Sequence, residues 1–265
     1  CLWMGSFVRN SEVIFLPTAK SDLFMKHLWV ERYFMKKWAK KIFVRDKITA
    51  DGLLSKGVGA EYLGNVMLDG LKATGQDFGF DKKDKVVGVL PGSRNEAYNN
   101  LFMQIKVIEE INGADKKVKY VLAKANSLNL GSINARFLAA GWRFEEDKMI
   151  IVNEYKDIRI EVSECFSDVL VASNIILGMA GTANEQAVYC GIPVICFEGS
   201  GAQTTKKRFQ EQKRLLGDKL MYIEKYDPKK VADVVLKYLD KHSGNKGKLI
   251  ESNAAEKIVT RIFED

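Results

Sequence analysis

Residues 85–96 read KVVGVLPGSRNE, an apolar run that passes through a short turn into a segment with helical periodicity. An unbroken apolar run predicts a strand buried on both faces, which is typical of parallel sheets. The following helix is predicted over 95–111, and Asn112-Gly113 is its stop signal. This stretch therefore predicts one strand–turn–helix unit of an α/β fold.

The same alternation continues on the carboxyl side of this stretch. Further strands are predicted at 118–123, 149–152, 175–177 and 192–197, and further helices at 130–140, 162–172, 182–189, 228–241 and 247–263. Strands that alternate with helices at this spacing predict a parallel sheet with helices on both faces. The prediction is a complete Rossmann-like C-terminal domain.

Upstream, the pattern predicts a smaller and partial α/β domain. Its elements are a strand at 12–16, a helix at 22–39, a strand within 40–45, a helix at 48–55 and an extended segment at 60–63. The polar, glycine-containing segment 72–84 favours a boundary, so we expect domains at 1–77 and 78–265. Because residue 1 is Cys rather than Met, we also expect the sequence to begin inside a longer protein.

Composition excludes some classes of site. The net charge of +7 over 265 residues suits phosphate-bearing ligands, anionic lipid or nucleic acid, and by itself selects none of them. The four cysteines form no CxxC pair and there are only two histidines, so no metal site is predicted. No apolar run approaches the ~18 residues that a membrane span needs.

The turn after the first strand of the larger domain can bind phosphate. Gly92 permits close backbone approach, Ser93 can cap the helix or bind a phosphate oxygen, and Arg94 can bind two oxygens at once. Free amides at the helix start also favour an anion. An ordinary strand–turn–helix in which Ser93 is a plain cap explains these residues equally well.

A second junction of the same kind follows the strand at 175–177. Residues 178–187 read GMAGTANEQA, and GIPV follows at 191–194. Thr182 can donate a hydroxyl to phosphate, and Glu185 or Gln186 can reach ribose hydroxyls. The alternative is a tightly packed helix start, and the dinucleotide fingerprint GxGxxG is absent. Two anion-binding helix ends in one sheet favour a bound diphosphate.

Several motifs together resemble a known family. They are LPGSR at 90–94, MAGTANEQA at 179–187 with GIP at 191–193, YLGNVMLDGL at 62–71, Gln203, and QKRLLG at 212–217. The chain resembles lipid-A-disaccharide synthase and, more closely, the group related to it, over roughly residues 13–265. The resemblance implies a GT-B glycosyltransferase with two Rossmann-like domains, of which the C-terminal one holds a UDP-sugar and the N-terminal one the acceptor lipid.

The resemblance also implies roles for residues. Residues 92–94 would contact the nucleotide diphosphate, and Gly181, Thr182 and Ala183 would line its phosphate and sugar end. Gln186 stands where the family has a ribose-binding glutamate, so Glu185 is expected to share or take over that role. In the loop 198–212, Gln203 is expected to bind a sugar or diphosphate oxygen, with a plain solvent loop as the alternative. No catalytic residue is identified, and neither a metal nor another cofactor is expected.

Segment 20–47 combines basic and aromatic residues. This pattern favours contact with an anionic membrane or a phosphate-bearing lipid acceptor, and the contact residues are predicted to be Trp29, Arg32, Lys36, Lys37 and Trp38. A core-packed helix with a solvated lysine face is the alternative. RNA binding is the weaker interpretation because no RNA motif is present, and no nucleic-acid partner is predicted.

The function predicted is metal-independent transfer of a sugar from a UDP-sugar donor to a lipid, lipid-linked or membrane-proximal acceptor. The predicted location is the cytoplasm, with peripheral attachment to the inner face of the membrane as a further expectation. Two alternatives stay open at this point. One is a UDP-sugar 2-epimerase, and the other is a truncated, non-catalytic module that binds a nucleotide or docks on a membrane.

Overall fold

The structure is a computed structural model that describes residues 12–18, 20–23, 25–132, 135–199, 201–202, 204–242 and 244–264. The chain divides into two compact units, one of Cys1–Gly70 with Glu251–Asp265 and one of Leu71–Ile250. The division falls slightly before the predicted boundary at 77/78. The identification of the units as an acceptor-side and a nucleotide-sugar domain stays a prediction.

Strands and helices are numbered in chain order over the described residues. The strands are β1 (Val13–Phe15), β2 (Ala39–Ile42), β3 (Val86–Leu90), β4 (Lys119–Ala123), β5 (Arg143–Glu145), β6 (Ile150–Asn153), β7 (Ile158–Ser163), β8 (Ile175–Gly178), β9 (Val194–Phe197) and β10 (Leu220–Ile223). The helices are α1 (Trp29–Trp38), α2 (Lys47–Leu54), α3 (Ala97–Ala114), α4 (Ala135–Ala139), α5 (Phe166–Ala172), α6 (Thr182–Tyr189), α7 (Lys206–Leu216), α8 (Pro228–Lys241) and α9 (Ala254–Phe263).

The larger unit is built on an eight-stranded sheet in the order β10-β9-β8-β3-β4-β7-β6-β5. All pairs are parallel except β5–β6 and β6–β7, which are antiparallel. Every residue of β3, β8 and β9 is buried, as expected for central strands covered on both faces. The predicted α/β class is confirmed, and the sheet is mixed rather than wholly parallel.

The order of the strands creates one crevice. Strands β3 and β8 are neighbours, with Leu90 beside Gly178, so their carboxyl ends are level. From β3 the chain runs through α3 to β4 on one side, and from β8 it runs through α6 to β9 on the other. Chains that leave neighbouring strands in opposite directions open a crevice at the topological switch point, where ligands of open α/β sheets bind.

Several predicted bounds were wrong. The helix predicted from residue 162 begins at Phe166, because Ile158–Ser163 is strand β7. In β7 the exposed Arg159 alternates with buried Ile158 and Ile160, a period of two that a search for continuous apolar runs misses. The short strands β5 and β10 and the polar helix α7 were missed, so the predicted loop 198–212 ends at residue 205.

Other helices are shorter or longer than predicted. Helix α1 begins at Trp29 rather than at residue 22, α4 covers only Ala135–Ala139, and α9 begins at Ala254 rather than at residue 247. Helix α3 continues through Asn112-Gly113 to Ala114. Burial of the α3 face against the sheet outweighs the local stop signal, since tertiary packing overrides weak propensities.

The smaller unit has its own core. Strands β1 and β2 pair in parallel, and Met35, Ile42 and Leu53 are among the buried side chains between them and helices α1 and α2. Asp46 caps α2 by accepting a hydrogen bond from the Thr49 amide at 2.7 Å. Such a cap holds the helix in register with the strand that precedes it.

Helix α9 belongs to the smaller unit although it closes the chain. Asp69 accepts hydrogen bonds from the first two amides of α9, Ala254 at 3.2 Å and Ala255 at 2.6 Å, and another from the Ser252 hydroxyl. Burial alone would raise the pKa of Asp69, but the hydrogen bond from Ser252 and those from the two amides bring it below its usual value. The carboxylate therefore caps α9 in its charged form.

Candidate functional site

A cleft of about 430 Å³ lies in the larger unit, where β3, β4, β7 and β8 end. Both predicted junctions line it, the one after β3 through Gly92, Ser93 and Arg94 and the one after β8 through residues 179–183. The cleft therefore occupies the switch point that the order of the strands creates.

At the first junction the backbone passes close to the second. Gly92 has φ +97°, and a Cβ placed on it would lie 3.3 Å from the Met179 carbonyl oxygen. Glycine meets both constraints, since it adopts positive φ without strain and has no Cβ. The Arg94 side chain is exposed and makes no hydrogen bond or ion pair with any residue that the structure describes. Its guanidinium is thus available to a ligand.

At the second junction the chain turns directly from strand to helix. The Met179 amide donates to the Leu90 carbonyl at 2.8 Å, which ties the two junctions together. Gly181 precedes α6 and offers no side-chain cap, and the side chain of Glu96, which precedes α3, makes no capping hydrogen bond. Two helix N-termini without side-chain caps thus face one cleft, an arrangement that favours a ligand with two phosphates.

Buried amide side chains hold the strand ends in place. Gln104 on α3 donates to the carbonyls of Leu90 at 3.1 Å and Leu177 at 2.9 Å, so that one side chain bridges β3 and β8. Asn100 donates to the Pro91 carbonyl at 3.0 Å and lines the cleft. Sequence reasoning missed both, because polar residues within a helix reveal their partners only when the strands are known to be neighbours.

The far wall comes from the ends of β4 and β7. It consists of residues 123–126, Glu164 and Phe166. Lys124 and Glu164 form an ion pair of 2.6 Å across this wall. Phe166 is half-buried and presents an aromatic side chain to the cleft. The sequence did not predict this wall, because a single helix was expected over 162–172.

The predicted ligand-binding residues fall into three groups. Those that line the cleft are Gly92, Ser93, Arg94, Gly181, Thr182, Ala183 and Gln186. Glu185 is half-buried and is not among the lining residues, so the cleft position belongs to its neighbour Gln186. Gln203 lies outside the described residues. That the lining residues bind a nucleotide sugar stays a prediction.

The predicted membrane or acceptor contacts lie in the smaller unit, on or beside α1. Trp29 is 72% exposed and Tyr33 52%, while Lys36 and Lys37 are exposed beside them. Trp38 stacks on Phe34, and the Lys37 ammonium lies over the Trp38 ring at 5.4 Å. Arg32 instead donates to the His27 carbonyl. Met35 packs inward, so α1 is amphipathic with aromatic and basic groups outside.

Both histidines have protein contacts of their own. The His27 ring and Asp22 are 2.7 Å apart in the smaller unit, and His242 stacks on Tyr238 at the end of α8. Neither lines the cleft. Within the described residues, no three His, Cys, Asp or Glu side chains form a group that could hold a metal ion. None of the helices described here is long and apolar enough to cross a bilayer.

Comparison with known proteins supports the resemblance found in the sequence. No family model matches the chain. The lipid-A-disaccharide synthase of Alteromonas mediterranea is 27% identical over 142 residues, which cover 51% of this chain and 34% of that protein. The chain thus spans about a third of the length of this curated relative.

Solved structures show the fold. A Listeria monocytogenes structure assigned to UDP-N-acetylglucosamine 2-epimerase superposes with a TM-score of 0.55 at 18% identity, over 88% of this chain and 60% of that one. The UDP-GlcNAc 2-epimerase of Neisseria meningitidis, solved with UDP-GlcNAc, gives 0.52 at 15%, over 89% and 63%. The predicted GT-B-like α/β fold is confirmed.

Proposed function

We propose that the larger unit binds the UDP part of a nucleotide sugar in the cleft and that the protein transfers the sugar to an acceptor hydroxyl. The observation that carries this proposal is the pair of uncapped helix N-termini facing one cleft at the switch point. Backbone amides and the positive ends of α3 and α6 would hold the diphosphate, and Arg94 would bind it from the exposed side.

The ends of the cleft suit the rest of the nucleotide. Phe166 supplies an aromatic surface on which a uracil ring can pack. Gln186, one turn into α6, can hydrogen-bond ribose hydroxyls with its amide group. The cleft volume of about 430 Å³ lies within the usual range of small-molecule sites.

Transfer is favoured over 2-epimerisation by two observations. The curated relative is named a lipid-A-disaccharide synthase, and joining two sugars is a transfer rather than an epimerisation. Neither histidine lines the cleft, so an epimerase that removes and returns a proton on the sugar would have to rely on a carboxylate such as that of Glu96. The truncated binding module stays the alternative for a chain that spans a third of its relative.

The reaction follows from the chemistry of the donor. The oxygen of an acceptor hydroxyl attacks the anomeric carbon and releases its proton to water. The bond from that carbon to the β-phosphate oxygen breaks, and UDP leaves with the electron pair. Arg94 and the two helix ends would stabilise the charge that develops on UDP, and this requires no metal.

The acceptor is proposed to be a lipid or a lipid-linked sugar at a membrane surface. Support comes from the exposed face of α1, where Trp29 and Tyr33 stand beside Lys36 and Lys37. Aromatic side chains partition into the lipid headgroup region, and lysines are attracted to anionic headgroups.

Titration with UDP tests the proposal. Arg94→Ala is expected to weaken UDP binding about tenfold or more, because a charge-assisted contact is lost. Arg214→Ala is the matched control, since Arg214 is exposed on α7 and does not line the cleft. Calorimetry with UDP, UDP-GlcNAc and GDP measures the effect. Absence of UDP binding by the wild-type chain would contradict the proposal.

Product analysis separates transfer from epimerisation and tests the role of metal. With UDP-GlcNAc and a lipid-linked sugar acceptor, we expect UDP release that depends on acceptor and persists in EDTA. Formation of UDP-ManNAc without acceptor would favour the epimerase. UDP binding with formation of neither product would favour the binding module.

A further inference from the structure

Glu96 is an acidic residue of the cleft. It precedes α3, is half-buried and lines the cleft. A Cβ placed on Gly201 would lie 2.4 Å from the Glu96 Cγ and Oε1 atoms, so the carboxylate lies between the cleft and the loop that follows β9. It makes no hydrogen bond or ion pair with the residues that the structure describes. A half-buried carboxylate without a partner is costly unless a ligand supplies one.

A second unpartnered acceptor stands one helical turn away. Asn100 is fully buried, and its amide nitrogen donates to the Pro91 carbonyl. Its Oδ1 has no hydrogen-bond partner among the described residues and lies against Gly199, where a Cβ would come within 2.6 Å. Residues four apart share one face of a helix, so Glu96 and Asn100 place two oxygen acceptors at the same end of the cleft.

The two ends of the cleft therefore differ in their chemistry. The order of the strands is β9-β8-β3-β4-β7. Phe166 and the Lys124–Glu164 pair stand beyond β7 and β4, the two helix N-termini beyond β3 and β8, and the loop that touches Glu96 follows β9. With a base at the aromatic end and a diphosphate at the helix ends, the sugar would reach the acceptor-rich end.

We infer that Glu96 binds the hydroxyl groups of the donor sugar and excludes donors with an acidic sugar. A carboxylate accepts hydrogen bonds and donates none, so it pairs with hydroxyl donors. A uronic acid would bring a second carboxylate to the same half-buried place, where like charges repel. This inference rests on the proposed function, since it assumes that the cleft holds a nucleotide sugar.

Competition among three ligands tests the inference. Calorimetric titration of the wild-type chain with UDP, UDP-glucose and UDP-glucuronate is expected to show UDP-glucose binding about tenfold or more tightly than UDP-glucuronate. Glu96→Gln removes the charge and keeps the size. This variant is expected to reduce that ratio at least about threefold and to bind UDP-glucose more weakly than the wild type does. It should bind UDP no more weakly than the wild type does.

The controls keep the outcomes distinct. Glu110→Gln changes an exposed glutamate on the same helix that does not line the cleft, and it should keep the wild-type ratio. The inference is overturned if UDP-glucuronate binds as well as UDP-glucose, or if Glu96→Gln keeps the wild-type ratio. If UDP itself does not bind to the wild type, the proposed function fails first. Circular dichroism of each variant confirms that it is folded.

Discussion

Glycine is needed at the two junctions for different physical reasons. Gly92 combines a positive φ with a close approach to the Met179 carbonyl, so the fold itself requires glycine. Gly181 has a negative φ, and a Cβ placed on it meets no atom within 4 Å. The space beside Gly181 belongs to the cleft, so the ligand rather than the fold would require glycine there.

Gly181→Ala should therefore separate binding from folding. We expect a change of no more than about 0.5 kcal/mol in the free energy of unfolding and a loss of about tenfold or more in UDP affinity, because the methyl group would occupy phosphate space. Urea denaturation and calorimetry measure the two quantities.

Gly113→Ala is the matched control for this substitution. Gly113 lies near the end of α3, and its added Cβ also meets nothing within 4 Å. Alanine there should stabilise the helix by about 0.5–1 kcal/mol and leave UDP affinity unchanged. Unchanged UDP affinity of Gly181→Ala would mean that the diphosphate does not meet the start of α6.

Asp168 is a buried carboxylate that fastens the segment before β3 to α5. It accepts hydrogen bonds from the Thr74 amide at 2.8 Å and the Gly75 amide at 3.0 Å, and from the Thr74 hydroxyl. Burial alone would raise the pKa of Asp168, and the hydrogen bonds from Thr74, Cys165 and Gly75 together bring it below its usual value. Its charged form is thus favoured in the folded state.

Asp168→Ala is expected to lower the free energy of unfolding by about 2–3 kcal/mol at pH 7. Because the pKa is lowered on folding, this contribution is present above the unfolded pKa and is lost as pH falls towards the folded pKa. The difference between wild type and variant should therefore shrink below about pH 4. Urea denaturation across pH 3–8 measures it.

Asp168→Asn serves as the control for shape, since it keeps the size and one acceptor. Its free energy of unfolding should fall less than that of the alanine variant. A difference between wild type and Asp168→Ala that stays constant from pH 8 to pH 3 would show that packing, not the charged acceptor, explains the loss.

Helix α1 of the smaller unit presents an exposed face of aromatic and basic side chains. Trp29 and Tyr33 are four residues apart and so share one side of the helix, while Met35 anchors the other side in the core. The helix has only ten residues, so its position depends on this core rather than on intrinsic helical stability.

Flotation with vesicles tests whether this face binds membranes. We expect the chain to float with vesicles of phosphatidylcholine and phosphatidylglycerol, and much less with phosphatidylcholine alone. The double variant Trp29→Ser with Tyr33→Ser should reduce the bound fraction about tenfold or more, since the buried aromatic area is lost.

Tyr155→Ser is the matched control for the flotation, because Tyr155 is 92% exposed in the larger unit. Equal flotation of the double variant and this control would show that the exposed face of α1 does not mediate membrane binding.

The two units of the chain should respond differently to ligand. A ligand that binds only the folded state stabilises it by about 2.7 kcal/mol at a concentration of 100 Kd. Because the cleft is built from the larger unit, saturating UDP should slow amide hydrogen exchange in β3 and β8 and leave α2 of the smaller unit unchanged. Exchange followed by mass spectrometry measures both.

Arg94→Ala is the matched variant for the exchange experiment, since it should abolish most of the protection at the same UDP concentration. Protection confined to the smaller unit would place the nucleotide outside the cleft.

Local sequence patterns are sufficient to predict the strand–turn–helix units and the residue types at their junctions. The glycines, the arginine and the turns that lead into helices at 92–94 and 181–183 follow from short-range pattern, because apolar period, turn chemistry and helix-start signals all act within a few residues. The α/β class and α8, predicted and observed at 228–241, followed in the same way.

The folded structure was needed to show that β3 and β8 are neighbours, and hence that the two junctions share a cleft. The bridge made by Gln104, the wall around Phe166 and the position of Glu96 beside Gly201 depend on that arrangement. Strand order results from long-range packing and hydrogen bonding between distant segments. The local pattern of a strand does not specify which strand lies beside it.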